Sequence, residues 1–498
     1  MSAAVPFSNI PNDLRVPLFY AEMDSSRANT ASNGQPMLLI GSKLSTAPVA
    51  VDTPVLVGGI DLAMQQVGRG SMLAAMIARA RAIDPFGELW YIAVPDIAAG
   101  TAATGTITVT GPATTAGVIT LYIAGRRLQV AVAAADTATI VAAAIVAAIT
   151  ADTDMPVSAA NAAGVVTLTC RWKGLTGNDL VVIENYRGAL GGESTPTGLA
   201  LAIVAFSGGA GTPTLTATIP AMGDEPYDFI AQPFSDATTL ATFSTEMGDT
   251  AGRWSWLRQV YGHIYSGLRG TLASLSAFGV TRNDQHATVW GYENDCPMPV
   301  WEQAAAYAAR NAVFLRIDPA RPTQTGSLDG LLVPRAGKRF GNTDRQTLLS
   351  KGIATAYSAV GVLYVERAIT TYQKNVYGQA DNSYLDSETL HTSAYVLRFL
   401  RNRVVSKYGR CKLANDGTRY DGDGIVTPKT IRAELISAYG ELERAGIVEN
   451  SALFAKYLIV ERDADSNRVN VLFPPDYVNQ LRVFAVLNQF RTQYPANA

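Results

Sequence analysis

Hydrophobic and polar positions change period several times along this chain, and each change marks an element. "PMLLIG" is an uninterrupted apolar run, as expected of a strand buried on both faces. "GSMLAAMIARARAI" has its apolar residues at helical spacing, and "ELWYIAVP" is again strand-like. Residues 37–98 therefore read β, helix, β. From about 100 to 212 the pattern becomes short alternating runs of Ala, Gly, Thr and Val, such as "TGTITVTG", "GVITLYIAGRRLQVAV" and "GVVTLTCRWKG", divided by Gly-rich turns. That is the signature of a β-rich module. Within it "TATIVAAAIVAAIT" at 137–150 reads as a buried Ala-rich helix capped by Asp136 or Thr137.

After 213 the βα alternation returns. "YDFIAQP" and "HATVWGY" are strands, while "DATTLATFSTEMG" and "WEQAAAYAARNAVFLR" are helices. The β-rich module is thus expected to be inserted into a loop of a layered α/β core. Further on, "GVLYVERAITTY" reads as a strand and "SAYVLRFLRNRVVSKYG" as a helix ending at Gly409. "TPKTIRAELISAYGELERAG" has Thr427 as N-cap, Pro428 at its first helical position and Gly446 past its end, and it buries Ile431, Leu435 and Leu442. "KYLIVERDADSNRVNVLFPP" reads as a hairpin.

Each end carries a strand outside this compact pattern. In "VPLFYAEMD", Phe19, Ala21 and Met23 share one face and Tyr20, Glu22 and Asp24 the other, with Leu18 leading in. No tight turn follows to return a partner strand, and a lone strand has no ladder for its backbone groups. The tail "QLRVFAVLNQF" is equally strand-like, with Leu481, Val483, Phe484 and Val486 apolar. The expected organisation is an N-terminal arm and tether at 1–34, core at 35–99, the inserted β-rich domain at 100–212, core again at 213–390, a C-terminal domain at 391–476 and a C-terminal arm at 477–498.

Composition narrows the function. The chain has 498 residues, a formal net charge of −2, 48% hydrophobic and only 16% charged residues. No global field points to nucleic acid or to a membrane surface, and the low charge suits a chain that buries much surface in an assembly. Cys170, Cys296 and Cys411 are widely spaced, as expected of reduced thiols rather than a disulfide framework or zinc site. The start "MSAAVPFSNIPNDL" has neither a basic n-region nor an apolar h-region, so no secretory signal is expected. The apolar stretch at 137–150 is too short to span a bilayer.

Motifs for chemistry are sparse. "RAGKRF" lacks the spacing and the Ser/Thr of a phosphate loop. In "YDGDGIVTPKT", aligning Gly424 with the invariant glycine of a calcium loop puts Arg419 and Thr430 at ligand positions, so this is a polar turn. "GRGSMLAAM" resembles the turn around a subtilase nucleophile, but Ser71 precedes His263, His286 and His391, against the subtilase order, and reads as a helix cap. No catalytic residue, metal site or cofactor is expected. "LRFLRNRVVSKYGRCK" holds Arg398, Arg401, Arg403, Lys407, Arg410 and Lys412 without an acid, beside an apolar stripe of Leu397, Leu400, Val404 and Tyr408. It reads as a solvated helix face or a docking face for an acidic protein, and lacks the interleaved aromatics of a nucleic-acid binder.

Beside this reading, "VPLFYAEMDSSRA", "DEPYDFIAQPFSD", "GRWSWLRQVYGHIYSGLRGT", "DPARPTQT", "AITTYQKNVYG", "SYLDSETLHT", "KLANDGTRYDGDGIVTPKTIRAEL", "LIVERD" and "FPPDYVNQLRVFAVLNQFR" resemble, in order, the contractile tail sheath proteins of myophages, nearest their Mu-like branch. The resemblance implies an α/β core likened to subtilisin, but no protease. It implies subunits in six-fold rings stacked around a tail tube, with terminal arms that join neighbours' sheets by strand addition. Its implied partners are neighbouring sheath subunits, the tube protein, and baseplate and terminator proteins, in a virion assembled in the host cytoplasm, with neither nucleic acid nor membrane insertion. The implied function is contraction that drives the tube through the host envelope. A late helix would face the tube, presenting either Lys429 and Arg432 or Arg398 and Arg401. The sheath of a phage-tail-like bacteriocin, a subtilisin-like hydrolase and a virion surface adhesin are the alternatives.

Overall fold

The computed structural model describes residues 34–417 and 423–493. The expected strand at 16–24 and most of the "YDGDG" turn lie outside the described residues.

The first apolar run forms β1 (Met37–Ser42), all six residues of which are buried. It is followed by β2 (Pro54–Leu56), α1 (Ile60–Val67), α2 (Met72–Ile83) and β3 (Leu89–Val94). β3 runs parallel to β1, in register from Met37–Leu89 to Ser42–Val94. Gly41 lets α2 lie close on β1: a Cβ there would meet Met76, Met72 and Leu73 at 3.1–3.4 Å.

The insertion then builds two antiparallel sheets from β4 (Thr104–Thr110), β5 (Gly117–Ile123), β6 (Arg126–Val132), α3 (Ala138–Ala151), β7 (Val157–Ala162), β8 (Val165–Cys170), β9 (Val182–Glu184) and β10 (Ala200–Ser207). One sheet has the order β10-β4-β8-β7 and the other β6-β5-β9. α3 is capped by Thr137, whose hydroxyl accepts from Ile140 N. The expected buried Ala-rich helix is buried along one face, through Val141, Ala142, Ile145 and Ile149. Among the described residues no helix is long and apolar enough to cross a membrane.

The core resumes with α4 (Thr218–Ala221), β11 (Phe229–Ala231), α5 (Ala237–Met247), β12 (His263–Gly270), α6 (Leu272–Gly279), β13 (Ala287–Glu293) and α7 (Val300–Ile317). The complete sheet has the order β13-β12-β11-β1-β3-β2, parallel except for the edge strand β2. β1 to β3 steps one way across the sheet and β11 to β13 the other. Right-handed crossovers therefore put α2 on one face and α5 and α6 on the opposite one. α7 packs on α2 and crosses β12, β11 and β1. Thirteen of its 18 residues are buried, and its alanines permit that close approach.

Next come α8 (Asn342–Leu349), the hairpin β14 (Thr355–Ala359) and β15 (Val362–Arg367), α9 (Ser387–Tyr408), β16 (Lys412–Leu413), β17 (Ile425–Val426), α10 (Pro428–Arg444), α11 (Ser451–Tyr457) and the hairpin β18 (Ile459–Arg462) and β19 (Val469–Leu472). α9 starts six residues before the expected Ser393, so position 390/391 falls inside a helix. α10 carries its expected cap, Thr427 accepting from Thr430 N, with Pro428 opening the helix. Leu435 and Leu442 are buried, whereas Ile431 is only half-buried.

α9 meets the sheet through a buried aromatic cluster. His391 stacks on Phe229 and bonds the Tyr265 hydroxyl at 3.0 Å, while His263 bonds Thr288 at 2.8 Å. Burial pushes His391 down to about 3, helped by the nearby Arg398 guanidinium, and pushes His263 well below the ordinary range, helped by His391 and His286. Both are thus neutral in the fold, and unfolding lets them take up protons at about pH 6.5. Stability is fully present above that pH and is lost as pH falls toward 3. From pH 7 to pH 5, His391 alone should cost about 2 kcal/mol, read as a lower urea midpoint. His391→Gln, which keeps a partner for Tyr265, should be less stable at pH 7 yet show a smaller fall. A fall of equal size in that variant would assign the acid sensitivity elsewhere.

Candidate assembly surfaces

In open α/β folds a ligand sits beyond the carboxyl ends of the strands, often against a helix N-terminus. Here a cavity of about 370 Å³ lies at that end, lined by Asn178, Asp179, Ser235, Asp236, Gly267 and Arg269 among others. Its charged groups are already committed. Asp179, from the insertion, accepts from Arg269 Nε at 2.7 Å, from Val300 N at the start of α7 at 2.6 Å, and from the Tyr292 hydroxyl at 3.2 Å. Asp236 caps α5 by accepting from Thr239 N at 3.0 Å. The protein's own carboxylates thus occupy both helix N-termini. Ser71 is 1% exposed and caps α2, accepting from Ala74 N, while the three histidines bond Thr288, Asp249 and Tyr265. No histidine is brought to Ser71.

The basic stretch on α9 is largely neutralised from distant parts of the chain. Arg398 pairs with the buried Asp228 at 2.5 Å and donates to Val260 O. Arg403 is gripped by Glu434 and by Glu441 at 2.8 Å, both on α10, and Lys407 reaches Glu434 at 2.6 Å. Expectation of an all-basic solvated face is thereby corrected, although Arg401 and Arg410 are exposed. On α10, Lys429 is exposed, whereas Arg432 is half-buried with its guanidinium donating to Ala455 O.

The C-terminal segment is anchored and then released. Tyr477 bridges Val448, Val478 N donates to Ile447 O, and Gln480 donates to Ala320 O at 2.9 Å. Arg482 turns inward, its side chain 10% exposed, between Glu388 at 3.1 Å and Asp386 at 3.2 Å. Beyond it the chain forms neither helix nor strand among the described residues, so the expected strand does not form within one subunit. Leu481, Val483, Phe484, Val486, Leu487 and Phe490 are 69–83% exposed. As a strand, in which successive residues point to opposite sides, this run is apolar on both faces, the pattern of a strand covered on both sides. Nearby in sequence, the two-stranded β18–β19 sheet leaves Ile459, Val471 and Leu472 exposed. Sequence reasoning missed Arg482, because one arginine in an apolar run reads as solvent-facing. The N-terminal positions Leu18, Phe19, Tyr20, Ala21 and Met23 lie outside the described residues.

Comparison with known proteins agrees with the early resemblance. Residues 208–371 match the phage tail sheath protein central domain, and residues 379–491 the phage tail sheath C-terminal domain. A Mu-like prophage FluMu tail sheath protein from Haemophilus influenzae is 40% identical over 495 residues, 98% of this chain and 99% of that protein. Among solved structures, a sheath tail protein from Desulfitobacterium hafniense is similar at 16% identity and a TM-score of 0.48, covering 94% of this chain and 97% of that one. One from Listeria innocua has 11% identity and a TM-score of 0.48, covering 89% and 92%. The chain belongs to the phage tail sheath proteins, on their Mu-like branch. It is a structural component of the virion and not an enzyme.

Replacing Arg482 with Gln should loosen the root of the tail without unfolding the core, since Arg367 still bonds Asp386 and Thr323 still bonds Glu388. A lost charge-assisted contact of about 1–3 kcal/mol predicts roughly tenfold or faster proteinase K cleavage around 477–481 in the free subunit. Unchanged cleavage with unchanged melting would show that Arg482 does not hold the tail.

Proposed function

We propose that this chain polymerises as stacked hexameric rings around a tail tube and contracts to drive that tube through the host envelope. The observation that carries this reading is the tail, pinned at Arg482 and apolar on both faces beyond it. Such a run is stable only inside another subunit's sheet, and a two-stranded sheet such as β18–β19 is stable only with further strands. Arms that exchange strands keep neighbouring subunits connected while their bodies move. The energy of contraction then lies in subunit interfaces, in keeping with a sequence that has no phosphate loop. The partners are neighbouring subunits, the tube, and baseplate and terminator proteins, with assembly in the host cytoplasm. The inserted domain faces outward, away from the tube.

Deleting residues 1–26, or 483–498, should leave the subunit folded with its melting transition intact, yet abolish polymers in negative-stain images and sedimentation. Long regular tubes from either truncated chain would sink the strand-exchange reading.

We assign the tube contact to the amino-terminal end of α10, where Lys429 is exposed, although Asp416 accepts from its backbone N at 3.0 Å and offsets part of the positive helix end, with Arg432 behind it. Arg398 would serve poorly, because it is committed to Asp228 inside the fold. Exposed ion pairs of about 0–1 kcal/mol each are weak enough to release together. Lys429→Glu with Arg432→Gln should therefore weaken sheath–tube co-sedimentation while self-assembly persists, and added salt should do the same. Normal tube coating by that variant, with loss in Arg401→Glu, would move the contact to α9.

A further inference from the structure

The four-stranded sheet of the insertion carries no charged side chain on any strand, and neither do the flanking stretches 97–125, 155–170 and 194–223. The inward positions of the sheet, such as Ile107, Val166 and Leu168, are fully buried. Across its other face, register places Val204, Thr106, Thr167 and Ala160 in one row, and the neighbouring rows continue in Thr, Ala, Ser and Val. That face is exposed or half-exposed throughout, Val204 reaching 58%. The outer edges of β10 and β7 have no strand partner among the described residues.

A solvent-facing sheet with open edges ordinarily carries lysine, glutamate or proline as protection against association. Its absence over a whole sheet, in a domain whose charges lie elsewhere, marks a contact surface. We propose that this face packs against the inserted domain of a second copy in the assembled sheath, an inference that rests on the assembly reading above. Two features select a second copy. An uncharged face of small side chains opposes its own kind without repulsion, and it lacks the aromatic platform on which sugars stack. Four strands about 4.8 Å apart, paired over five or six residues at about 3.4 Å each, offer roughly 350 Å² of paired sheet. That is under half of the about 800 Å² per partner typical of a stable complex. The contact therefore forms only between copies already held side by side, where effective concentration is high.

Maleimide labelling of Thr167→Cys in a Cys411→Ser chain tests this, since Cys170 and Cys296 are 3% and 1% exposed. Ile140→Cys, at a position 53% exposed on α3, is the control. In polymers of the purified chain, labelling at 167 should be at least about tenfold slower than in the free subunit, with position 140 unchanged. Thr167→Lys should leave subunit melting unchanged and lower the denaturant concentration at which polymers dissociate. Equal labelling at 167 in polymer and subunit overturns this inference alone. Protection of the free subunit by envelope polysaccharide overturns it in favour of a glycan partner. A chain that forms no polymer overturns the assembly reading and this inference together.

Discussion

Parallel strands are stable only when both faces of their sheet are covered, and the arrangement of this subunit follows from that constraint. α2 and α7 cover one face by packing on one another, which requires the alanines of α7 and the absence of a side chain at Gly41. α5 and α6 cover the other. With both faces closed, only the strand ends remain open, and the insertion closes the carboxyl end by sending Asp179 to Arg269 and to the start of α7. An enzyme of this architecture would keep that position for substrate. Here the ion pair ties the inserted segment to the six-stranded sheet.

The same requirement for cover explains the tail. Up to Arg482 it obeys the rule within its own chain, through Tyr477, Gln480, the half-buried Asp386 and the buried Glu388. Past that point its apolar residues have no cover among the described residues, and on the proposed reading assembly completes the segment. A pinned root followed by an uncovered apolar run would, on that reading, give a connector whose origin is fixed on one body while its end belongs to another. This is what a lattice needs if its members are to move without separating.

Charge is distributed to match. Arginines that could have made α9 a continuous basic surface are spent on Asp228, Glu434 and Glu441, so that α9 is bound to the sheet at one end and to α10 at the other. The exposed cations left on these helices are few, Lys429 and Arg401 among them. Surface ion pairs of that kind are weak individually, so the tube contact proposed above could be made and broken along a whole tail.

Much of the fold was legible because its signals are local. β1, β3, β11 and β13 announce themselves as apolar runs, α10 by Thr427 and Pro428, and β18–β19 by alternation on either side of a polar turn. β12 was not legible: Gly267, Arg269 and Gly270 interrupt its apolar run, and its burial comes from helices packed over it. Terminal apolar segments without partners pointed to assembly from sequence alone, and a chain-long resemblance pointed to the sheath. Which charges are free was decided only in three dimensions. Arg398 meets Asp228 across 170 residues, and Arg482 meets Glu388 from the far side of the C-terminal domain. Periodicity reports what a residue's neighbours in sequence require of it, whereas an ion pair depends on where the folded chain has carried its partner.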